Sequence, residues 1–339
     1  MKQQKERYIL FLFAIIMILV IFDSKASLES AREGVSQCMA TILPALFPFF
    51  FLSSIINNRL SGYHLSVLDP IAKLCGIPKG AESILLLGIL GGYPIGAQVI
   101  SQTYHAGTIS KVSAKRMLGF CNNAGPAFIF GMLSGCFSSP AIPWLIWGIH
   151  VTAALLTGIL LPLKMQESCI LHNRKPLLIT EALESSIRAI AKVCGLVILF
   201  KVFLNFFNRW FLWLLPLEIN VFISGVIELA NGCIQLNSIP NEYIRFILCN
   251  CLLSFGGLCV GMQTMGTTSE LGTGMYFPGK ILQTLLSFLL SAAVGCVFYN
   301  SFQIPIFLYT SVMLITITYI LILMQRYKKR CSFSLTKAV

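Results

Sequence analysis

The chain has 339 residues, of which 56% are hydrophobic and only 11% are charged. A soluble domain carries about 25% charged residues because its surface faces water, so a soluble globule is excluded and lipid must be the solvent for much of this surface. The formal net charge of +12 does not indicate a nucleic-acid partner, because the basic residues lie in short segments between apolar runs. That distribution is typical of membrane proteins, whose cytoplasmic loops are enriched in lysine and arginine.

The apolar runs are long enough for several membrane crossings, each of which needs about 20 mostly apolar residues. They predict eight spans, at residues 8–22, 35–56, 117–136, 142–163, 177–207, 244–260, 275–298 and 304–324. The first run follows basic residues and ends near Ser24-Lys25-Ala26, a pattern also found in cleaved signal peptides. We expect an uncleaved first helix instead, because the rest of the chain is itself embedded in the membrane.

Two further apolar segments are interrupted and do not have the pattern of plain crossings. Residues 81–104 are broken at Gly91-Gly92-Tyr93-Pro94-Ile95-Gly96. Residues 211–236 contain helix-breaking and polar residues, namely Pro216, Glu218, Glu228, Asn231 and Gly232. Glycine and proline interrupt a helix and free backbone groups that lipid cannot satisfy, so a break needs surrounding protein or a water-filled cavity. The two segments are therefore predicted to be re-entrant helical hairpins.

The charge distribution favours a hairpin over a crossing for residues 81–104. If this segment dips in and returns, the N-terminus shares one face with the basic stretches at 59–79, 111–116 and 164–175 and with the tail at 326–330. If it crossed, Lys111, Lys115 and Arg116 would lie on the opposite face, against the positive-inside bias. The hairpin arrangement places both termini in the cytoplasm.

The order of elements indicates an internal repeat. The sequence span, broken hairpin, span, span occurs from 35 to 163 and again from 177 to 298, the second time from the opposite face. Two inverted halves with matching broken segments are typical of secondary transporters. The predicted fold is an all-α polytopic membrane protein with about eight transmembrane helices and two re-entrant hairpins in an inverted repeat. It comprises an anchor helix and loop at 1–34, repeats at 35–163 and 177–300, and a last helix with a basic cytoplasmic tail at 301–339.

Candidate substrate-binding residues of the first half lie where its segments are interrupted, because such folds bind substrate near the tips of broken helices. At the first tip they are Gly91, Gly92, Tyr93, Pro94 and Gly96, with a packing turn as the alternative. Asn122 and Asn123 follow, just before Pro126, and adjacent amides at the start of an apolar run either cap a helix or bind a ligand.

In the second half, Glu228 is the leading candidate. An ionisable group within a membrane segment costs roughly 2.5–3.5 kcal/mol and usually faces a cavity or a partner. The alternative for Glu228 is a solvated position near the membrane interface. Lys201 is likewise either a functional group or a side chain that extends its ammonium to the membrane surface, which is known as snorkelling. The other candidates of this half are Asn231, Ser254, Gly256, Gly257 and Gln263.

No signature of an enzyme or of a metal site occurs in the sequence. It lacks the hydrolase elbow, the metalloprotease helix and the P-loop. Most cysteines lie within apolar runs without paired CxxC spacing, which indicates small buried hydrophobes rather than disulfides or zinc ligands. We expect His105 in a loop and His150 at the membrane interface. The expectation is a protein without catalytic residues, cofactor or metal.

Three motifs together resemble the sporulation integral membrane protein family YlbJ. They are Gly-Gly-Tyr-Pro-Ile-Gly-Ala at 91–97, Asn-Asn-Ala-Gly-Pro at 122–126, and Ser-Phe-Gly-Gly-Leu at 254–258 followed by Gln263. That family belongs to the nucleoside-recognition or Gate domain group, related to concentrative nucleoside transporters. The resemblance extends from about the second span to the last, and implies that the two repeats are Gate-like. One departure is Gly261, where the family pattern expects histidine, so a proton relay at that position is in doubt.

The resemblance also implies a function. It implies a protein of spore-forming bacteria that moves dipicolinate toward the developing spore, across the outer forespore membrane. The first tip, Asn122, Asn123, Glu228 and the break at 254–257 would then line the transport site. A dianion beside Glu228 would be repelled unless that carboxylate is protonated, so a proton is the natural coupling ion, with sodium as the alternative.

The sequence therefore leaves three hypotheses about function. The first is a secondary carrier for a small anionic metabolite such as dipicolinate, with the lipid bilayer as its surroundings. The second is a nucleoside carrier. The third is a non-transporting membrane scaffold or assembly factor in sporulation, in which the broken helices are packing devices. The residues leave the oligomeric state and the direction of transport open.

Overall fold

The computed structural model of the protein describes residues 2–60, 62–133, 135–162 and 177–299. Within these ranges the chain is helical, without strands, which confirms the prediction of an all-α fold. The helices are α1 (Lys2–Phe22), α2 (Ser24–Gln37), α3 (Leu43–Leu60), α4 (Asp69–Leu74), α5 (Glu82–Leu90), α6 (Ile95–His105), α7 (Lys111–Met117), α8 (Pro126–Leu133), α9 (Ile142–Leu160), α10 (Ile179–Trp210), α11 (Leu217–Ile227), α12 (Leu229–Gln235), α13 (Glu242–Phe255), α14 (Gly257–Thr267) and α15 (Tyr276–Phe298).

Several of these helices are suited to cross a membrane. Among the described residues, five stretches are long and apolar enough, namely Ser24–Leu60, Ile142–Leu160, Ile179–Trp210, Glu242–Thr267 and Tyr276–Phe298. They confirm a polytopic helical membrane protein, although not the count of eight spans. The first predicted span is helical within α1 but is not among the five. The predicted span at 304–324 and the basic tail lie outside the described residues.

The longest helix, α10, packs against the stretch formed by α2 and α3. A short π-helical segment, Cys38–Ile42, joins α2 to α3 without a break in the helical path. A Cβ atom on Gly34 would lie 3.1 Å from the Cα atom of Ile198. Small residues allow such close approach of helix backbones, which is a common means of packing helices in membranes.

Both predicted hairpins are present as pairs of helices. The first hairpin consists of α5 and α6, joined by residues 91–94, and the second consists of α11 and α12, joined at Glu228. In each pair the two arms pack against one another. The predicted interruptions at residues 91–94 and at Glu228 are therefore confirmed as breaks in helical structure.

The predicted span at residues 117–136 is not a single helix, and the interruption expected at Pro126 begins earlier in the chain. Helix α7 ends at Met117, residues 118–125 are not helical, and α8 covers only Pro126–Leu133. A Cβ atom on Gly125 would lie 2.8 Å from the Cα atom of Gly92, so the backbone here is in direct contact with the first hairpin. Pro126 lacks an N–H group and is suited to the first position of a helix. An apolar composition alone does not reveal such backbone contacts.

The predicted interruption at residues 254–257 is also present. Helix α13 ends at Phe255, and the next two residues, Gly256 and Gly257, have φ angles of 81° and 82°. These are left-handed conformations that glycine adopts without strain and that commonly end a helix. The stretch from α13 to α14 is therefore one apolar segment made of two helices.

Within the described part of the chain, the buried apolar side chains form two clusters. The first includes residues of α3, α6 and α10, such as Phe50, Ile95 and Val197. The second includes residues of α8, α9, α12 and α13, and it also contains Tyr93 from the tip of the first hairpin. That tip therefore reaches into the apolar cluster formed by the second hairpin and its neighbours. The cysteines that the structure describes are free thiols, and most are buried, as the sequence predicted.

Candidate functional site

A cavity of about 410 Å³ lies where the two hairpin tips meet α3, α8, α10 and α14. We term it the central cavity. Its volume falls within the roughly 300–1,000 Å³ typical of small-molecule sites. Five of the predicted substrate-binding residues line it, namely Gly91, Gly92, Tyr93, Glu228 and Gln263. The rest of the wall is mostly apolar and includes Pro44, Phe128, Met132, Val193, Val197, Leu229 and Val260.

The first hairpin tip is shaped by its glycines. The N–H of Gly91 donates to the carbonyl of Leu87 over 2.8 Å and ends α5, and the N–H of Ile95 donates to the carbonyl of Gly92 over 2.8 Å as α6 begins. Gly92 has a φ angle of 83°, which requires glycine. A Cβ atom there would lie 3.0 Å from the backbone nitrogen of Gly125. The tip therefore rests directly on the residues that precede α8.

The second hairpin tip is held by the side chain of Glu228. Its carboxylate accepts from the N–H of Ala230 over 3.1 Å and from the N–H of Asn231 over 2.7 Å, which caps α12. Glu228 is only 3% exposed, so the alternative of a solvated interfacial glutamate is wrong. A Cβ atom on Gly257 would lie 3.2 Å from the backbone nitrogen of Leu229. This tip therefore rests on the start of α14.

Lys280 lies fully buried behind the first tip. Its ammonium donates to Tyr93 Oη over 3.0 Å, to Gln283 Oε1 over 2.7 Å and to Asn123 Oδ1 over 3.4 Å. It also lies 5.0 Å from the centroid of the Tyr93 ring. The Tyr93 hydroxyl in turn donates to the carbonyl of Leu253 over 3.1 Å. A cation thus ties the predicted site residues Tyr93 and Asn123 to α15 and α13.

His150 connects the two broken spans. Its Nε2 atom accepts from the N–H of Ala124 over 3.0 Å, and its Nδ1 atom lies 3.2 Å from Ser254 Oγ. Since Nε2 acts as the acceptor, Nδ1 carries the proton and donates to the serine. His150 is fully buried within the protein. Ser254, a predicted site residue, therefore contacts His150 and is not among the cavity-lining residues.

Asn122 connects the first hairpin to α14. Its Oδ1 atom accepts from the N–H of Ala97 over 3.2 Å, and its Nδ2 atom donates to Thr264 Oγ1 over 2.9 Å. The Asn122 side chain thus caps α6, whereas the sequence suggested that it would cap the helix that follows it in the chain. A Cβ atom on Gly96 would lie only 2.0 Å from the carbonyl oxygen of Cys121. Gly96 therefore serves close packing at this position.

Two other predicted residues have different surroundings. A Cβ atom on Gly256 would lie 3.0 Å from the Tyr93 ring. The absence of a side chain at Gly256 therefore allows the first tip to pack closely here. Pro94 precedes α6 and lines a neighbouring cavity described below. Gly261, where the resemblance expects histidine, lies on α14 beside the ring of Phe277.

Asn231 lies below the second tip and binds Lys201. Its Oδ1 atom accepts from the Lys201 ammonium over 2.7 Å, and that ammonium lies 3.5 Å from a carboxylate oxygen of Glu33. The Nδ2 atom of Asn231 is buried and has no hydrogen-bond partner among the described residues. These side chains line a pocket of about 260 Å³, termed the polar pocket, with Glu29, Ser30, Asn205, Asn208 and Gln235. Lys201 thus has side-chain partners within the protein in addition to an opening to solvent.

A third cavity, of about 870 Å³, lies on the other side of the central cavity. We term it the basic vestibule because His105, Arg188 and Lys192 line it, together with the amides Gln98, Gln102 and Gln263. It shares Val193 and Gln263 with the central cavity. His105 is the last residue of α6 and not a loop residue as predicted.

The three cavities follow one another along α10. Residues 185–199 of this helix line the basic vestibule, Val193 and Val197 line the central cavity, and residues 201–208 line the polar pocket. A helix rises about 1.5 Å per residue, so these contacts extend over roughly 35 Å, comparable to the hydrocarbon thickness of a bilayer.

A separate cluster, outside these cavities, has the residue types of a metal site. The ligand atoms of His64, Asp69 and Glu82 lie within 4.8 Å of one another. They already have protein partners, since Glu82 accepts from His64 over 2.8 Å and from the N–H of Gly80 over 2.9 Å, and Asp69 pairs with Lys73. The sequence, with its scattered histidines, did not predict this proximity.

Sequence reasoning missed Lys280, His150, Gln283 and Thr264. The first two were detectable, because both are ionisable residues inside predicted spans, the same signal that identified Glu228. Gln283 and Thr264 have no comparable signal, since uncharged polar residues are common on helix faces that pack within a bundle.

Comparison with known proteins gives one relative of matching length. The chain is 25% identical over 318 residues to the sporulation integral membrane protein YlbJ of Bacillus subtilis (strain 168), and the match covers 80% of this chain and 78% of that protein. No family model and no solved structure matches the chain. The similarity covers most of both chains, as the motifs predicted, and supports the assignment of this protein to the YlbJ family of sporulation integral membrane proteins.

Proposed function

We propose that the protein is a secondary membrane carrier for a small anionic metabolite, with dipicolinate as the first candidate substrate. The observation that carries this proposal is the central cavity, which is enclosed by the tips of two broken hairpins and by the starts of α8 and α14. Broken helices within a membrane are tolerated where they line a cavity, and secondary transporters bind substrate at such breaks. Dipicolinate itself is suggested by the resemblance to the YlbJ family.

The proposal includes an inverted repeat of residues 35–163 and 177–300. A matching contact in the two halves supports it. In the first half the hairpin tip meets the following break through Gly92 and Gly125, and in the second half it meets the following break through Leu229 and Gly257. Transporters with inverted repeats alternate between two faces by moving one part of the fold against the other.

The series of cavities along α10 supports a transport route. The basic vestibule shares residues with the central cavity, and its Arg188 and Lys192 would attract anions toward it. On the other side, Asn231 and Lys201 bind each other and line the polar pocket, and Asn231 lies three residues after Glu228 of the central cavity. We propose that this pair forms the barrier in the arrangement described here.

The remaining parts of the proposal follow from the sequence and the resemblance. The carrier would lie in the outer forespore membrane with both termini in the cytoplasm, and it would use no cofactor and catalyse no reaction. Proton coupling is preferred to sodium, because a dianion beside Glu228 requires that carboxylate to be neutral. A nucleoside carrier and a non-transporting scaffold are the alternatives.

Uptake into liposomes tests the proposal. We expect purified protein in liposomes to take up labelled dipicolinate in a saturable manner, above empty liposomes, and not to take up labelled uridine. Uptake of uridine instead would favour the nucleoside carrier. Uptake of neither compound, together with normal function of variants that carry polar substitutions at Asn122 and Asn123, would favour the scaffold.

Surface labelling tests the topology on which the repeat depends. Cysteines introduced at Lys111 and at Tyr63, two exposed positions on either side of the first hairpin, should react with an impermeant thiol reagent from the same face of the membrane. Reaction from opposite faces would contradict both the re-entrant hairpin and the inverted repeat.

A further inference from the structure

We infer that the central cavity is electrically polarised, with its cationic side at the first hairpin tip and its anionic side at the second. It would therefore select a small molecule with an anionic group at one end and a proton donor at the other. This inference rests on the proposed function, because it describes how the same cavity would recognise its substrate.

The cationic side is provided by Lys280, which lies behind Tyr93. Its three contacts, to Tyr93, Asn123 and Gln283, are all to neutral oxygen acceptors, which matches the three donors of an ammonium group. The ion pairs among the described residues do not include Lys280. An ammonium at this position is thus solvated by neutral groups of the protein, and no carboxylate among the described residues neutralises it.

Tyr93 carries the effect of this charge to the cavity wall. Its ring lines the central cavity and lies 5.0 Å from the Lys280 ammonium. Its hydroxyl both accepts from Lys280 and donates to the carbonyl of Leu253, so it has no further proton to offer a ligand. An anion at the first tip would be attracted through the electric field, which acts over several ångströms where water is excluded.

The anionic side is provided by Glu228, which lines the cavity at the second tip. Its carboxylate is bound by two backbone N–H groups rather than by a cation. Lys201 is a basic group close to Glu228, and its ammonium is engaged with Asn231 and Glu33. Other titratable groups close to Glu228 among the described residues include the thiols of Cys38, Cys233 and Cys259, which carry no charge when protonated.

The two tips therefore set opposite requirements for the two ends of a ligand. A carboxylate is favoured near the first tip and disfavoured near the second, where a protonated group is favoured. A dicarboxylate fits this cavity when it brings one proton, either on its own second carboxyl group or on Glu228. A neutral molecule of the same shape lacks the anionic group that the first tip favours, so it gains nothing from the field there.

Ligand binding to the purified full-length protein tests the inference without transport. Three pyridines of similar shape serve as probes: the 2,6-dicarboxylate, the 2-carboxylate and the neutral 2,6-dimethanol. The dissociation constants are measured from the shift in melting temperature in detergent. We expect Lys280→Gln to weaken binding of the carboxylates relative to the neutral probe by about tenfold, and Glu228→Gln to strengthen it by about tenfold.

Control variants separate charge from packing. Lys280→Arg keeps the charge and should keep the preference for carboxylates, whereas Lys79→Gln and Glu6→Gln alter exposed residues outside the cavities and should change nothing. If Lys280→Gln does not fold, the opposite shift in Glu228→Gln carries the test. Equal effects on all three probes, or no effect, would overturn the inference.

The failure of this inference differs from the failure of the proposed function. Carboxylate binding with the expected shifts but without uptake into liposomes would leave the polarised cavity intact and contradict the carrier. Uptake into liposomes without charge-dependent binding would support the carrier and contradict the polarised cavity. A wild-type protein that binds none of the three pyridines would overturn the proposed substrate class.

Discussion

The two hairpins reach the same cavity but are held in place differently. In the first hairpin, both arms close on a third segment of chain, because Cβ atoms on Gly88 and Gly96 would lie 1.9 Å and 2.0 Å from the carbonyl oxygen of Cys121. In the second hairpin, the arms close on each other, because a Cβ atom on Gly232 would lie 2.2 Å from the Cα atom of Gly225. The closest contact of the first hairpin is therefore with the non-helical residues 118–125, whereas the closest contact of the second lies between its own two arms.

The polar support of the two tips differs in the same way. The first tip is tied to distant elements by Tyr93 and Lys280, which contact α13 and α15. The second tip is tied to its own helix by the carboxylate of Glu228. The closest contacts thus differ between the two hairpins, and a given substitution should have different consequences in the two halves.

Alanine at the packing glycines should have the largest effect. Gly88→Ala and Gly232→Ala both force a Cβ atom into backbone, and we expect each to lower the free energy of unfolding by about 1–3 kcal/mol or to prevent folding. Thermal unfolding in detergent measures this. The matched control is Gly148→Ala on α9, where a Cβ atom would meet nothing within 4 Å. Tolerance of Gly88→Ala would show that the first hairpin is not clamped by Cys121.

Removal of the Tyr93 hydroxyl should have the next largest effect. Tyr93→Phe deprives Lys280 of an acceptor and the carbonyl of Leu253 of its donor, and a buried group left without a partner costs about 1–3 kcal/mol. The melting temperature should fall, while Tyr63→Phe, at an exposed position, should leave it unchanged. An unchanged melting temperature in Tyr93→Phe would contradict outside support of the first tip.

Loss of the cap on the second tip should have the smallest effect. Glu228→Ala removes the acceptor for the N–H groups of Ala230 and Asn231, and a lost cap costs about 0.5–2 kcal/mol. Glu228→Gln keeps one acceptor oxygen and should be less destabilising than alanine. Equal stability of the two variants would indicate that capping does not hold this tip.

The sequence predicted the two hairpins and the break after Ser254 because glycine and proline clusters leave a visible mark in an apolar run. It predicted an interruption at Pro126 but not that residues 118–125 are all non-helical, with Gly125 against another part of the backbone. Such a contact depends on residues far away in sequence, here Gly92. Local composition contains no information about it.

The residues of the candidate site, like the fold, were predictable only in part. Residues at the tips, such as Gly92, Tyr93 and Glu228, do line the central cavity. The roles of Asn122 and Gly96 were not predictable, because whether an amide or a glycine serves a ligand or a neighbouring helix depends on tertiary packing. Lys280 was missed although its charge inside a span met the criterion applied to Glu228.

The central claim is that substrate binds in the cavity between the two hairpin tips, and two tryptophan variants on one helix test it most directly. Val260 is buried in the wall of the central cavity, whereas Leu258, two residues earlier on α14, is 42% exposed. We predict that Val260→Trp abolishes uptake of labelled dipicolinate into liposomes while Leu258→Trp retains it, with both proteins folded and inserted. Equal uptake by the two variants would contradict the claim.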